Sequence, residues 1–347
     1  MNNRKRYLNI IRKMNLQDES LISDALKKKG FYSNDVNYPL SSLHFELTSI
    51  CNAYCKHCYN NSGESNIPDL MTPEKWIEFS KYIVDKGGMF ECLLSGGEPL
   101  LLGNKLFDIM DILHDDGTIF LIMTNGILLT KDRVQKLKKY QYHWLQISID
   151  SASKEYHDDF RQINGCWERA VKAAKLVSEN GIPLKIAHCV TPYNLNDIDD
   201  MCRLAYSLGA KSIMIGGISF SGRTVQNRYL LLSEYEKEVM NEKIQNNRVK
   251  YENKLKVKST NSVKDGLLKH AKRPRSGAII RPNGDIRIDG MAPFIIGNIL
   301  KEDFTKVWES KIDTCWQDYR VKNFINSFDA NDKNENYINY ADRDIEL

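Results

Sequence analysis

From residue 43 to about 218 the chain alternates short β-rich runs with amphipathic stretches, and nothing else in the sequence constrains the fold as much. "LHFELT" (43–48) reads as a strand. A helix follows from Thr72 as N-cap, with Pro73 at its first position and Gly87 at its end. "MFECLL" (89–94) is a second strand and 104–115 a helix. "TIFLIMT" (118–124) is a third, followed by a helix from Thr130. "HWLQISID" (143–150) leads to a helix over 166–180, and "PLKIAHCV" (183–190) to one over 195–208. "KSIMIGG" (211–217) is the sixth strand.

Strands that each precede a helix or crossover build a parallel sheet. The strands are nearly continuous apolar runs, as a helix-covered sheet requires. Six units are too few to close the eight-stranded barrel. The expected fold is therefore α/β, a partial (β/α)6 barrel with a small C-terminal β-hairpin/helix extension. In such sheets functional groups gather after the strand C-terminal ends.

Beyond residue 220 the pattern changes. "LSEYEKEVMNEKIQ" opens with a capping box, Ser233 and Glu236, and reads as a helix outside the barrel. "SGAIIRPNGDIRIDG" (276–290) alternates around Pro282-Asn283-Gly284 as a β-hairpin. The expected organisation is an N-terminal helical extension over 1–40, the barrel over 41–225, the extension over 226–325 and a polar, acidic, loosely packed tail over 326–347.

A formal charge of +4 is too small to argue for a nucleic-acid partner. No run of about 18 apolar residues exists, so no membrane span is expected. The basic start, "MNNRKRYLNIIRKMN", lacks the core and cleavage site of a signal peptide. The expectation is a cytoplasmic protein with reduced thiols.

That matters for "TSICNAYCKHCYN" (48–60), which holds three of the eight cysteines directly after the first strand. Cys51, Cys55 and Cys58 follow C-x3-C-x2-C spacing on a loop, where three side chains can converge on one inorganic centre. A disulfide is disfavoured by compartment. A zinc site would want a fourth ligand, and His57 lies between two of the three. Three thiolates on a [4Fe–4S] cube would leave one iron open for an amino-acid head group. The remaining cysteines stand singly and read as small buried hydrophobes.

The next strand ends also carry polar groups. "SGGEPLL" (95–101) offers Gly96 and Gly97 for close backbone approach and Glu98 as an acceptor. "TNG" (124–126) brings Asn125, and "SID" (148–150) brings Ser148 and Asp150.

With these motifs the chain resembles the radical S-adenosylmethionine (SAM) enzymes, over about residues 40–310. "CNAYCKHC" resembles their cluster motif, with His57 at the position whose backbone meets the adenine. "GGEP" is similar to their motif for the SAM amino group. "SID" with "HDDFRQINGCWERAV" resembles the segment that holds the ribose through Ser148 and Asp150 and the SAM carboxylate through Arg161. The "SGR" of 221–223 resembles the sixth strand end of the peptide-modifying branch. The resemblance implies one [4Fe–4S] cluster on Cys51, Cys55 and Cys58, SAM as co-substrate, and an external electron donor of flavodoxin or ferredoxin type. It implies reductive cleavage of SAM to methionine and a 5′-deoxyadenosyl radical that takes a substrate hydrogen.

The segment around the hairpin, with "IGNI" (296–299) and Trp308, resembles the SPASM and twitch extensions, yet lacks the cysteines that hold auxiliary clusters there. The implied substrate is a ribosomally made peptide, epimerised or cross-linked, with a small molecule such as a sugar, nucleoside or amino-acid derivative as the alternative. Cys189, near the end of the fifth strand, is the candidate hydrogen donor. The helix expected within residues 1–40 reads as packing on the barrel, with docking of an acidic leader as the other role.

Overall fold

A computed structural model describes residues 40–64, 68–328 and 344–347. The helix expected in the N-terminal extension lies outside the described residues.

The βα alternation builds as expected. Strand β1 (Leu40–Glu46) is followed by α1 (Pro73–Asp85), β2 (Met89–Ser95), α2 (Asn104–Asp115), β3 (Ile119–Thr124) and α3 (Lys131–Leu137). Then come β4 (Tyr142–Ser148), α4 (Lys154–Arg161), α5 (Cys166–Glu179), β5 (Leu184–Val190), α6 (Ile198–Ser207) and β6 (Ser212–Gly217). Several helix starts have a local cause. The Thr72 hydroxyl accepts from the Lys75 amide at the head of α1, and Thr130 and Ser153 do the same for α3 and α4. The capping box of Ser233 and Glu236 opens α7 (Glu234–Lys250).

That helix belongs to a unit missed in the sequence. It crosses from β6 to a seventh strand, β7 (Lys256–Ser259), parallel to β6 with Ile213 opposite Val257. At the other edge, the hairpin strands β8 (Ala278–Ile280) and β9 (Asp285–Arg287) extend the same sheet, β8 lying parallel to β1 with Phe45 opposite Ile280. Helix α8 (Val263–Ala271) precedes the hairpin, and β10 (Phe294–Asn298), α9 (Phe304–Cys315) and α10 (Tyr319–Asn326) follow it. With β11 (Ile345–Glu346) at one edge, the sheet runs β11-β10-β9-β8-β1-β2-β3-β4-β5-β6-β7.

Most of the expected tail, residues 329–343, lies outside the described residues. Its last residues form β11 (Ile345–Glu346) against β10. Asp344 is drawn in by charge: it pairs with Arg281 at 2.5 Å and Arg287 at 3.5 Å, both arginines being buried. A carboxylate is needed there because a buried guanidinium without a partner is costly.

Alternation along the strands separates two environments. Leu43, Phe45, Cys92 and Leu94 face the helices and are fully buried, each large side chain contributing about 2 kcal/mol. The other set, including His44, Ser95, Gln146, Ser148 and Cys189, faces inward. Residues from β2 through β6 line one cavity there, so the sheet curves like part of a barrel. No described helix is long and apolar enough to cross a membrane.

Candidate active site

The inner cavity, of about 290 Å³, is lined by the sulfur-bearing residues Cys51, Cys55 and Cys58 together with His57, Gly96, Gly97, Asn125, Ser148, Asp150, Arg161 and Cys189. Residues spread over nearly 140 positions of sequence are thereby brought to one place.

The cysteine loop is clasped from three directions. The Tyr54 and Lys56 amides donate to the Arg161 and Phe160 carbonyls at the end of α4, at 3.2 and 3.0 Å. Gly97 and Glu98 amides donate to the Thr48 and Ile50 carbonyls. Gly97 has to be glycine, since a Cβ there would lie 2.0 Å from the Ile50 carbonyl oxygen. From the far side, buried Arg223 donates to the Cys55 carbonyl (2.8 Å) and the Ser62 carbonyl (2.9 Å), with its guanidinium 4.0 Å from the Tyr54 ring centroid. Gly222 allows this approach: its φ is +53°, and a Cβ would sit 2.2 Å from the Cys58 carbonyl oxygen.

Each motif sulfur faces a donor. Asn125 Nδ2 stands 3.9 Å from Cys51 Sγ, Arg161 Nη1 3.7 Å from Cys55 Sγ, and the Ser62 amide 3.3 Å from Cys58 Sγ. Such donors favour thiolate over thiol. Burial opposes them at Cys55, pushing its pKa up to about 12, so a cation is needed to displace the proton. The loop geometry, donors and burial fit a cationic iron–sulfur centre.

Arg161 and Asp150 form the charged wall. Arg161 Nε and Nη2 lie 2.8 and 2.7 Å from Asp150 Oδ2, and the Cys189 amide donates to Oδ1 at 3.1 Å. Burial alone would raise the Asp150 pKa, but the guanidinium holds it well below the usual carboxylate range. His57 stacks on Phe160, with ring centroids 4.1 Å apart and planes at 2°. Burial keeps its imidazole neutral, with a pKa lowered to about 4. Cys189 lies with His57 and Asp150, their ligating atoms within 4.8 Å of one another. Burial and the Asp150 charge push its thiol pKa up, so it stays protonated.

Glu98 behaves differently. It is fully buried outside the cavity lining, and its carboxylate accepts from Leu100 N (3.1 Å), Thr124 Oγ1 (2.7 Å) and Asn125 N (2.8 Å). It ties the end of β2 to the end of β3 and so positions Asn125. Sequence reading also passed over Ser62, Gln146 and the role of Arg223. Only the "SGR" motif signalled the last of these.

An open, curved α/β sheet with three thiols, a neutral imidazole and a buried arginine–aspartate pair at its strand ends defines an enzyme of the partial-barrel class. Residues 45–205 match the Radical SAM superfamily and form a radical SAM domain. Among curated relatives, it is 28% identical over 300 residues to "Antilisterial bacteriocin subtilosin biosynthesis protein AlbA" of Bacillus subtilis (strain 168), covering 82% of this chain and 63% of that protein. It is also 28% identical over 290 residues to "AdoMet-dependent heme synthase" of Methanosarcina barkeri (strain Fusaro / DSM 804), covering 77% of this chain and 81% of that one. The chain thus spans less than two thirds of AlbA's length. In fold it is similar to Streptococcus suis SuiB, solved bound to S-adenosylmethionine, with a TM-score of 0.64 at 17% identity over 90% of this chain and 77% of SuiB. As a radical SAM enzyme, the chain is expected to use a [4Fe–4S] cluster and SAM.

Proposed function

We propose that this radical SAM enzyme modifies a ribosomally made peptide by hydrogen abstraction, giving epimerisation or a cross-link. The observation that carries the site assignment is the convergence of Cys51, Cys55 and Cys58 on the cavity that Asp150, Arg161 and Cys189 also line. The peptide reading is supported by the similarity to AlbA, a bacteriocin biosynthesis protein. A small-molecule substrate is the second reading, favoured by the comparable similarity to a heme synthase.

In this reading Cys51, Cys55 and Cys58 hold one cluster, reduced by an external donor of flavodoxin or ferredoxin type. Among the described residues no second group of neighbouring cysteines exists, Cys92, Cys166, Cys202 and Cys315 each being buried singly. When bound, the cluster and SAM supply one-electron cleavage of the sulfonium and a hydrogen-abstracting carbon radical. Asn125 and the backbone of Gly96 and Gly97 orient the methionyl end, with Glu98 as a positioning residue behind them. Arg161 faces its carboxylate, Ser148 and Asp150 the ribose, and His57 the adenine through its backbone.

Cys189 is the proposed hydrogen donor for epimerisation. Its S–H hydrogen passes to the substrate radical, and an external reductant then returns one electron and one proton to the sulfur. The neutral thiol favoured by its surroundings is the form this step needs. Mass spectrometry of candidate peptides, incubated with reduced enzyme and SAM in deuterated water, tests the proposal. Deuterium at an inverted α-carbon supports it. Turnover of tetrapyrroles or other small molecules, with every peptide unchanged, contradicts it.

A further inference from the structure

A second cavity, of about 660 Å³, lies between the inner faces of β1 to β3 and the segment from α8 through the hairpin. Its size is that of a ligand pocket. It adjoins the cysteine-lined cavity, because Tyr59 and Met123 are walls of both. A hydrogen bond between His44, which lines the second cavity, and Ser95, which lines the first, joins them again.

The charged groups around it differ in whether they already hold a partner. The Glu91 carboxylate contacts the His143 ring nitrogen at 2.5 Å, and Asp289 contacts His270. Lys269, on the last turn of α8, lines the cavity and has no hydrogen-bond or ion-pair partner among the described residues. Arg273 lines the same wall and is already partnered. Both acids are thus met by imidazoles, while a lysine is left to face whatever enters.

We infer that this cavity holds the substrate and that Lys269 reads an acidic side chain of a peptide, setting the residue to be modified against the cysteine-lined cavity. The inference rests on the radical peptide-modifying reading and adds the chemistry of recognition. A single lysine–carboxylate contact at an accessible site is modest, so selectivity of about fivefold is expected from it, and more on charge reversal.

The test uses the full chain, reconstituted without oxygen and held with SAM, and two degenerate pools of short synthetic peptides with a fixed central Glu or Gln. Peptides retained by the protein are counted by mass spectrometry. The Glu pool should be retained about fivefold over the Gln pool by wild type, equally by Lys269→Ala, and less than the Gln pool by Lys269→Glu. Lys269 is exposed, and unchanged melting of both variants shows that folding is not the cause. Equal retention by wild type, or a Glu preference that survives Lys269→Glu, overturns the inference. Competition by free glutamate at the same concentration as a retained peptide would mean a small carboxylate is the ligand and would overturn the peptide assignment. Failure of wild type to form 5′-deoxyadenosine refutes the underlying radical reading. Its formation without a Glu preference refutes the recognition inference alone.

Discussion

Arg161 places two nitrogens on one oxygen of Asp150, at 2.8 and 2.7 Å, and so fixes its third nitrogen 3.7 Å from the Cys55 sulfur. One pair therefore sets both the charge of the cavity wall and the surroundings of a motif thiol. Asp150→Asn leaves a buried guanidinium short of its counter-charge, and the cluster-free protein should lose about 3 kcal/mol in urea unfolding. SAM affinity should fall at least about tenfold by equilibrium dialysis, since Asp150 also lines the cavity. Wild-type values for both would break the link between this pair and the site.

Gly97→Ala tests the loop itself. The added methyl would meet the Ile50 carbonyl one residue before Cys51, so the loop must move. Reconstituted iron should drop from about four per chain towards zero while the far-ultraviolet circular dichroism stays unchanged. Full iron loading would show that the loop adapts without cost.

Glu98→Gln replaces a carboxylate oxygen facing an N–H donor with an amide NH2. Three donors converge on that carboxylate, so a donor–donor conflict should cost about 1–3 kcal/mol in denaturant unfolding. Unaltered stability would mean that the carboxylate is not the tie between β2 and β3.

Asp344→Ala removes the carboxylate between Arg281 and Arg287. Arg281 keeps Glu46 at 3.3 Å, so the loss should sit near the low end for a broken buried pair, about 3 kcal/mol. A melting temperature equal to wild type would argue against a structural role for the final strand.

Acid should weaken the fold through buried imidazoles. Burial lowers the pKa of His157 and of His188 to about 4, so both are neutral in the folded chain while the unfolded chain protonates them below about 6.5. Their stability contribution is full above about pH 6.5 and is lost as pH falls towards 4. Each contributes up to about 1.4 kcal/mol per pH unit in that window. His188→Leu should flatten the change in unfolding midpoint between pH 7 and pH 5; an unchanged slope would mean that other groups carry it.

The sequence made the βα order legible because apolar runs, Thr caps and Gly stops coincide there. It hid β7, whose "KVKS" has a single apolar residue, and α4, whose "KEYHDDFR" buries His157, Asp158 and Arg161 where a helix face is usually apolar. The three cysteines could be read locally. Arg223 could not be assigned a role in advance, since its partners lie about 160 positions earlier. The pairing of Asp344 was hidden for a similar reason, because the arginines that draw it in sit in a hairpin that reads as half exposed.

The most direct measurement is SAM cleavage by anaerobically reconstituted, reduced protein, with iron and sulfide counted on the same sample. The account predicts 5′-deoxyadenosine and methionine in equal amounts, about four irons per chain, and loss of both product and iron in Cys51→Ala, Cys55→Ala and Cys58→Ala. 5′-Deoxyadenosine formation that persists in Cys55→Ala, or about four irons retained when all three cysteines are replaced, would contradict it.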